Sequence, residues 1–183
     1  MGQRLFSEYS VAPVPRNLIP SLDPSKPQVL WLGCCDSGYD ETTTLDLFPD
    51  EMIVVRNIGN LALGTDLTWA SAVQHAVDNL QVDHIIVCGH YGCGIIKTDP
   101  VVGIHFPWQK EVDSLLSTHQ KELENLSVDD RNRYLVQVNV VKQMQLVRDL
   151  LEVIYPGEHR RIDIHGFLYD RVRDRADRIL LNR

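Results

Sequence analysis

Two cysteines and a histidine stand where they could hold a metal ion together. Cys34 follows the apolar run QVLWLG, and His90 and Cys93 form a His-x-x-Cys pair within GHYGCG. Thiolate and imidazole are ligands that suit zinc, and a set of three protein ligands is typical of a catalytic rather than a structural zinc site. The sequence therefore predicts one zinc ion held by Cys34, His90 and Cys93.

Each half of this pattern also has a plainer interpretation. A His-x-x-Cys pair is common by chance, and a lone cysteine after a strand usually packs in the core. The segment GHYGCG could instead be a phosphate-binding turn between a strand and a helix. Its glycines fall as G-x-x-G-x-G, however, which is not the order of the dinucleotide-binding motif. The two halves together favour the metal.

Neighbouring strands must bring these residues together. Short apolar runs predict four strands, at 28–33, 51–56, 84–88 and 161–165. Apolar residues at spacings of three and four predict three helices, at 65–80, 107–126 and 129–151. Thr65 or Asp66 can cap the first of these helices. The alternation predicts an α/β fold with a central, mostly parallel sheet flanked by helices, and ligands gather at the carboxyl ends of such strands.

Composition bounds the domain organisation and excludes several classes of protein. With 183 residues, 44% of them apolar, the chain can bury one core. We expect an irregular N-terminal arm over 1–27, which has five prolines, and a single zinc-binding α/β domain over 28–183. The net charge of −7 is spread along the chain, which argues against nucleic acid as a partner, and the basic stretch 171–183 is expected to be a solvated face.

Four cysteines are few for this length, and the adjacent Cys34 and Cys35 would make a poor structural disulfide, so the sequence favours a reducing compartment. We find no apolar run of membrane-spanning length and no secretory signal, so we expect a cytoplasmic protein that does not bind membranes. Cys88, in the apolar run IIVC, is expected to be a buried thiol.

The candidate ligands lie within longer motifs that resemble those of a known family. The sequence reads CCDSG at 34–38, VVRNIGN at 54–60, CGHYGCG at 88–94, NVVKQ at 139–143 and HGFLYD at 165–170. Together these motifs resemble the β-class carbonic anhydrases over residues 28–170. The resemblance implies zinc on Cys34, His90 and Cys93, reversible hydration of carbon dioxide to bicarbonate, and a sheet that pairs across a homodimer or a higher oligomer.

One position departs from the family pattern. The family has Cys-x-Asp-x-Arg, in which the arginine holds the catalytic aspartate away from the metal; here Asp36 is present, but Gly38 stands in place of the arginine. A glycine cannot replace the two charge-assisted hydrogen bonds of a guanidinium. We expect Asp36, without a competing partner, either to bind zinc as a fourth ligand or to orient water poorly, and either outcome lowers activity. Rescue by Arg56 is an alternative.

A second anion site is also implied for one branch of the family. That branch has a non-catalytic bicarbonate pocket, and its three residues match Trp31, Arg56 and Tyr169. In the alternative interpretation, Trp31 belongs to the core and Arg56 pairs with a structural carboxylate.

Two further functions stay open. Carbonyl sulfide and carbon disulfide are linear relatives of carbon dioxide, so a hydrolase of these compounds is one alternative. A non-catalytic zinc- or bicarbonate-binding protein is the other. Tyr39 and Asp40 are weak candidates for proton transfer. No partner residue can be assigned to six other histidines, namely His75, His84, His105, His119, His159 and His165.

Overall fold

A six-stranded sheet forms the centre of the structure. The computed structural model describes residues 8–15, 18–19, 26–63, 66–99, 106–157 and 161–182. The strands are β1 Tyr9–Pro13, β2 Val29–Cys34, β3 Met52–Asn57, β4 His84–His90, β5 Asp163–Asp170 and β6 Arg175–Leu181. They lie in the order β1-β6-β5-β4-β2-β3.

The strand directions place the predicted ligands at the carboxyl ends of two neighbouring strands. The pairs β2–β3, β2–β4 and β4–β5 are parallel, whereas β5–β6 and β1–β6 are antiparallel. The predicted α/β fold with a mostly parallel sheet is therefore confirmed. Because β2 and β4 are parallel neighbours, their carboxyl ends lie side by side.

Within the described residues, five α-helices accompany the sheet. They are α1 Glu41–Leu45, α2 Leu67–Asp78, α3 Pro107–Thr118, α4 Gln120–Leu123 and α5 Val128–Ile154. The three predicted helices are confirmed, except that the second is divided at His119 into α3 and α4. Asp66 caps α2 by accepting hydrogen bonds from two backbone amides of its first turn, and Thr65 lies outside the described residues. None of these helices combines the length and the apolar character needed to span a lipid bilayer.

Apolar side chains pack on both faces of the sheet. Alternate residues of β2 point to opposite faces, so Leu30 joins the larger core beneath the helices and Trp31 joins a smaller cluster on the other side. Helix α5 lies close against β4 at Gly89, which has no side chain to keep them apart. An added Cβ at Gly89 would come within 2.7 Å of Val140 Cγ2 on the helix. Cys88 is fully buried, as predicted.

Two expectations about the chain termini are wrong. Within the arm that was expected to be irregular, Tyr9–Pro13 forms β1 and pairs with β6. The basic stretch that was expected to be a solvated face contains β6, in which Ala176, Asp177 and Ile179 are buried. Charged residues interrupt the apolar pattern of β6, and β1 ends in Pro13 with Pro15 close behind, so neither strand shows a clear alternation. Residues 1–7, 16–17 and 20–25 of the arm lie outside the described residues.

Candidate metal centre

Cys34, His90 and Cys93 come together at the carboxyl ends of β2 and β4. Cys34 is the last residue of β2, His90 is the last residue of β4, and Cys93 lies in the turn that follows. One potential ligand atom from each residue lies within 4.8 Å of the other two, and all three residues are buried. The two sulfurs are 3.8 Å apart. Within the part of the chain that the structure describes, no other set of three or more histidine, cysteine or acidic side chains comes this close together.

A glycine allows the chain to turn back between His90 and Cys93. Gly92 has a φ of +75°, in the left-handed region that residues with a side chain rarely adopt. An added Cβ there would meet no atom within 4 Å, so the backbone conformation rather than crowding requires glycine. This turn lets His90 and Cys93 reach the same point.

Backbone amides stabilise negative charge on both sulfurs. Cys34 Sγ accepts a hydrogen bond from the Asp36 amide at 3.4 Å, and Cys93 Sγ accepts hydrogen bonds from two amides in the following turn, also at 3.4 Å. The hydrogen bond between the two sulfurs raises the pKa of the Cys34 thiol and lowers the pKa of the Cys93 thiol. Hydrogen bonds that favour a thiolate prepare a cysteine to bind a metal.

The histidine nitrogen at this point is left without a hydrogen bond by the described residues. His90 Nε2 is buried and makes no hydrogen bond with any described residue. A buried polar atom without a partner destabilises the fold by about 1–3 kcal/mol. A cation between the two sulfurs and this nitrogen would remove that cost and replace the shared proton. The residues therefore fit a metal ion, and two sulfurs with one imidazole fit zinc.

Asp36 lies beside the ligand cluster but outside it. Its Oδ2 accepts a hydrogen bond of 2.6 Å from the Gly94 amide. The expectation that this carboxylate has no competing partner is therefore wrong, because a main-chain donor holds it. Gly38, the position of the missing arginine, is exposed, and an added Cβ there would meet no atom within 4 Å.

Arg56 holds the loop that carries Asp36 rather than Asp36 itself. Its guanidinium pairs with Glu41 at 2.8 Å, and it donates hydrogen bonds to the Ser37 carbonyl oxygen at 3.0 Å and to the Tyr39 carbonyl oxygen at 2.9 Å. No described contact joins it to the Asp36 carboxylate. The alternative that Arg56 pairs with a structural carboxylate is therefore confirmed. Sequence reasoning did not identify Glu41, since nothing in its residue type distinguishes it from other acidic residues.

Tyr39 contacts all three members of the predicted bicarbonate pocket. Its hydroxyl accepts a hydrogen bond of 3.2 Å from Trp31 Nε1, and its ring centroid lies 5.1 Å from that of Tyr169. The Arg56 guanidinium carbon lies 4.9 Å from the Tyr39 ring centroid. Burial raises the pKa of the Tyr39 phenol far above its ordinary value, so the phenol stays protonated near neutral pH. A bicarbonate pocket formed by Trp31, Arg56 and Tyr169 stays a prediction.

Four of the histidines to which no partner could be assigned from sequence do have one. His75 contacts Asn79, His119 contacts Tyr134, and His84 contacts His165. Each pair except the first joins residues distant in sequence, so spacing could not show it. His105 and His159 lie outside the described residues, and Asp40 caps helix α1.

Known proteins share both the sequence pattern and this fold. A family model described as carbonic anhydrase matches residues 29–174. A carbonic anhydrase of Emericella nidulans is 34% identical over 150 residues, which cover 79% of this chain and 65% of that protein. The chain thus spans less than two thirds of that relative.

Solved structures extend the likeness to three dimensions. The β-carbonic anhydrase CafD of Aspergillus fumigatus is 33% identical, with a TM-score of 0.83, and the match covers 94% of this chain and all of that one. A tetrameric β-carbonic anhydrase of Sordaria macrospora is 27% identical with a TM-score of 0.70, over 84% of this chain and 81% of that one. The sequence motifs, the sheet with its Cys-His-Cys group and these likenesses agree: the chain belongs to the β-carbonic anhydrase family.

Proposed function

We propose that this chain catalyses the reversible hydration of carbon dioxide to bicarbonate, with one zinc ion held by Cys34, His90 and Cys93. The observation that carries the proposal is the convergence of two buried sulfurs on a buried imidazole nitrogen that makes no hydrogen bond with any described residue. Three protein ligands leave a fourth coordination position for water. When bound, zinc acts as a Lewis acid that lowers the pKa of a coordinated water from 15.7 to about 7.

The protein supplies orientation for this reaction. Asp36 follows Cys34 by two residues, and its carboxylate is held at the cluster by the Gly94 amide. From this position we expect the carboxylate to accept a hydrogen bond from the attacking water and so to fix the direction of attack. Arg56 and Glu41 hold the loop from Ser37 to Tyr39, and therefore hold the chain that carries Asp36.

We expect turnover to be lower than in relatives that have the arginine. One neutral amide holds the carboxylate here, whereas a guanidinium makes two parallel charge-assisted hydrogen bonds that are each roughly twice as strong. A less firmly held Asp36 spends part of its time away from the orientation that guides water, or on the metal. This lower turnover rests on Gly38.

The same proposal includes a homodimer in the cytoplasm. Strand β3 ends the sheet on one side, and Val54 on it is 42% exposed. An exposed apolar edge strand is a surface for pairing with another chain, and a second copy would bury it. Higher assembly, as in the Sordaria relative, is compatible with this edge. The four cysteines form no disulfide, in keeping with a reducing compartment.

Stopped-flow measurement of carbon dioxide hydration tests the proposal. Zinc-loaded protein is expected to accelerate hydration between pH 7 and 9, a chelator should abolish the acceleration, and added zinc should restore it. A zinc-loaded protein with no hydration above background would overturn the proposal. In that case, hydrogen sulfide release from carbonyl sulfide would indicate a hydrolase, and bicarbonate binding that depends on Arg56 would indicate a sensor.

A further inference from the structure

A pair of histidines occupies the opposite end of the sheet from the Cys34–His90–Cys93 cluster. His84 is the first residue of β4, and His165 lies in the first half of β5. The two strands are parallel neighbours in which His84 is paired with Asp163 and Ile86 with His165. Both side chains are therefore on the face of the sheet to which Ile86 also points.

The two rings present one nitrogen each to the same point. His84 Nδ1 and His165 Nε2 are 3.2 Å apart, and the ring centroids are 5.3 Å apart. At this distance one nitrogen donates its proton to the other. A metal ion about 2.1 Å from both nitrogens would make a ligand–metal–ligand angle of about 100°, which suits tetrahedral coordination. The separation therefore fits a shared metal ion as well as a shared proton.

The surroundings keep both rings in the form that binds metals. Burial lowers the pKa of His84, and burial together with the neighbouring His84 lowers the pKa of His165 to about 4. Both imidazoles are therefore neutral near pH 7, and neutral imidazole is the metal ligand. Asp83 and Asp163 add negative charge near His84, whereas Arg178 adds positive charge near His165.

Solvent and further oxygen ligands can complete such a site. Both rings are only partly buried, so water can reach them. The Asp163 side chain is 41% exposed, and its Oδ1 now accepts a hydrogen bond from Arg161 at 2.9 Å. Two paired strands fix the backbone positions of both residues, so binding requires no change in the backbone. A site of this kind is pre-organised, which lowers the entropic cost of binding.

We propose that His84 and His165 form a second metal site, which takes one divalent cation that prefers imidazole, such as Ni²⁺, Cu²⁺ or Zn²⁺. The cation joins the amino ends of β4 and β5 and stabilises the folded chain, because a ligand that binds only the folded state shifts the equilibrium towards it. With two protein ligands instead of three, this site binds more weakly than the Cys-His-Cys group. It is independent of any hydration activity.

Calorimetric titration with Ni²⁺ tests this site. The sample is zinc-loaded protein without a histidine tag, and zinc retained by the protein is measured after the titration. We expect one Ni²⁺ per chain with the zinc retained. His84→Gln and His165→Gln are each expected to weaken this binding by at least about tenfold. His75→Gln, which alters a histidine of helix α2 whose ring hydrogen-bonds to Asn79, is the matched control and is expected to bind as the wild type does.

Thermal melting gives an independent readout. Ni²⁺ is expected to raise the melting temperature of the wild type and of His75→Gln, and not that of His165→Gln. The proposal is overturned if Ni²⁺ displaces the zinc one for one, if no Ni²⁺ binds to the wild type, or if both His84→Gln and His165→Gln bind it unchanged. Because two single variants test the same pair, the failure of one to fold still leaves the other to decide.

Discussion

The two ends of strand β4 carry the same residue type in opposite circumstances. At the carboxyl end, His90 Nε2 is buried beside two sulfurs and has no hydrogen-bond partner among the described residues. At the amino end, His84 is partly exposed and its Nδ1 already contacts His165. No described residue satisfies the buried nitrogen of His90, whereas the His84–His165 pair is satisfied by a shared proton. We therefore expect the first end to need a cation and the second only to accept one.

The largest expected effect comes from removing a ligand at the carboxyl end. Cys93→Ser replaces a thiolate with a weak ligand, so zinc content should fall and hydration should drop by about a thousandfold or more. Metal analysis and stopped-flow hydration measure both. Cys35→Ser is the matched control, because Cys35 is an exposed thiol outside the cluster, and it should retain zinc. Equal loss in both variants would show that the cluster is not the metal site.

Loosening the loop at the carboxyl end should cost stability as well as rate. Arg56→Gln removes the partner of Glu41, which is 9% exposed, and should lower the free energy of unfolding by about 2 kcal/mol. Urea unfolding measures this change. The double variant with Glu41→Gln should lose less than the sum of the two single variants, since it leaves no unpaired charge. Strict additivity would mean that the two side chains do not support each other.

Restoring the family arginine should strengthen the hold on Asp36. Gly38→Arg should raise the rate of hydration by about tenfold, because a guanidinium can bind the carboxylate with two hydrogen bonds. The exposed site has room for the side chain, and Gly38 does not have a positive φ. Gly38→Lys supplies a positive charge without the two parallel N–H donors of a guanidinium, so it should raise the rate of hydration by less. If neither variant is faster, the Gly94 amide already holds Asp36 as well as an arginine would.

The smallest effect is expected at the amino end and depends on pH. The pKa of His165 is about 4 in the folded protein, below the ordinary value of 6.5, so the unfolded chain binds its proton first as pH falls. Stability should therefore fall as pH decreases from about 6.5 towards 4. Between pH 7 and 5, urea unfolding should show that the wild type loses about 1–2 kcal/mol more than His165→Gln. Parallel losses would indicate that His165 titrates alike in both states.

Much of the metal end could be predicted from sequence because its signals are local. The runs that form β2 and β4 are apolar and end in glycine, and the ligands follow them directly, so parallel pairing alone brings Cys34 to His90. Helices α2 and α5 were predictable because their buried faces repeat at helical spacing. Strand β6 was not predictable, because Arg175, Asp177 and Arg178 interrupt its apolar pattern. In its pairing with β5, even the charged Asp177 is buried.

The parts that escaped prediction depend on contacts that residue types do not reveal. The Gly94 amide is a main-chain donor, so no side chain marks it as the partner of Asp36. Arg56 was recognised by its motif, but which carboxylate it meets depends on how the loop from Ser37 to Glu41 folds. The contact between His84 and His165 spans 81 positions and requires the strand order before it can be inferred.

The hydrogen bond from Gly94 to Asp36 has a consequence for how this protein can change over generations. A peptide N–H is present in every residue except proline, so most point substitutions at position 94 leave the donor in place, whereas any substitution of an arginine removes its guanidinium. Because the Gly94 amide holds the Asp36 carboxylate, the residue at position 38 is not required to hold it. Variation at position 38 then adjusts speed without dismantling the site.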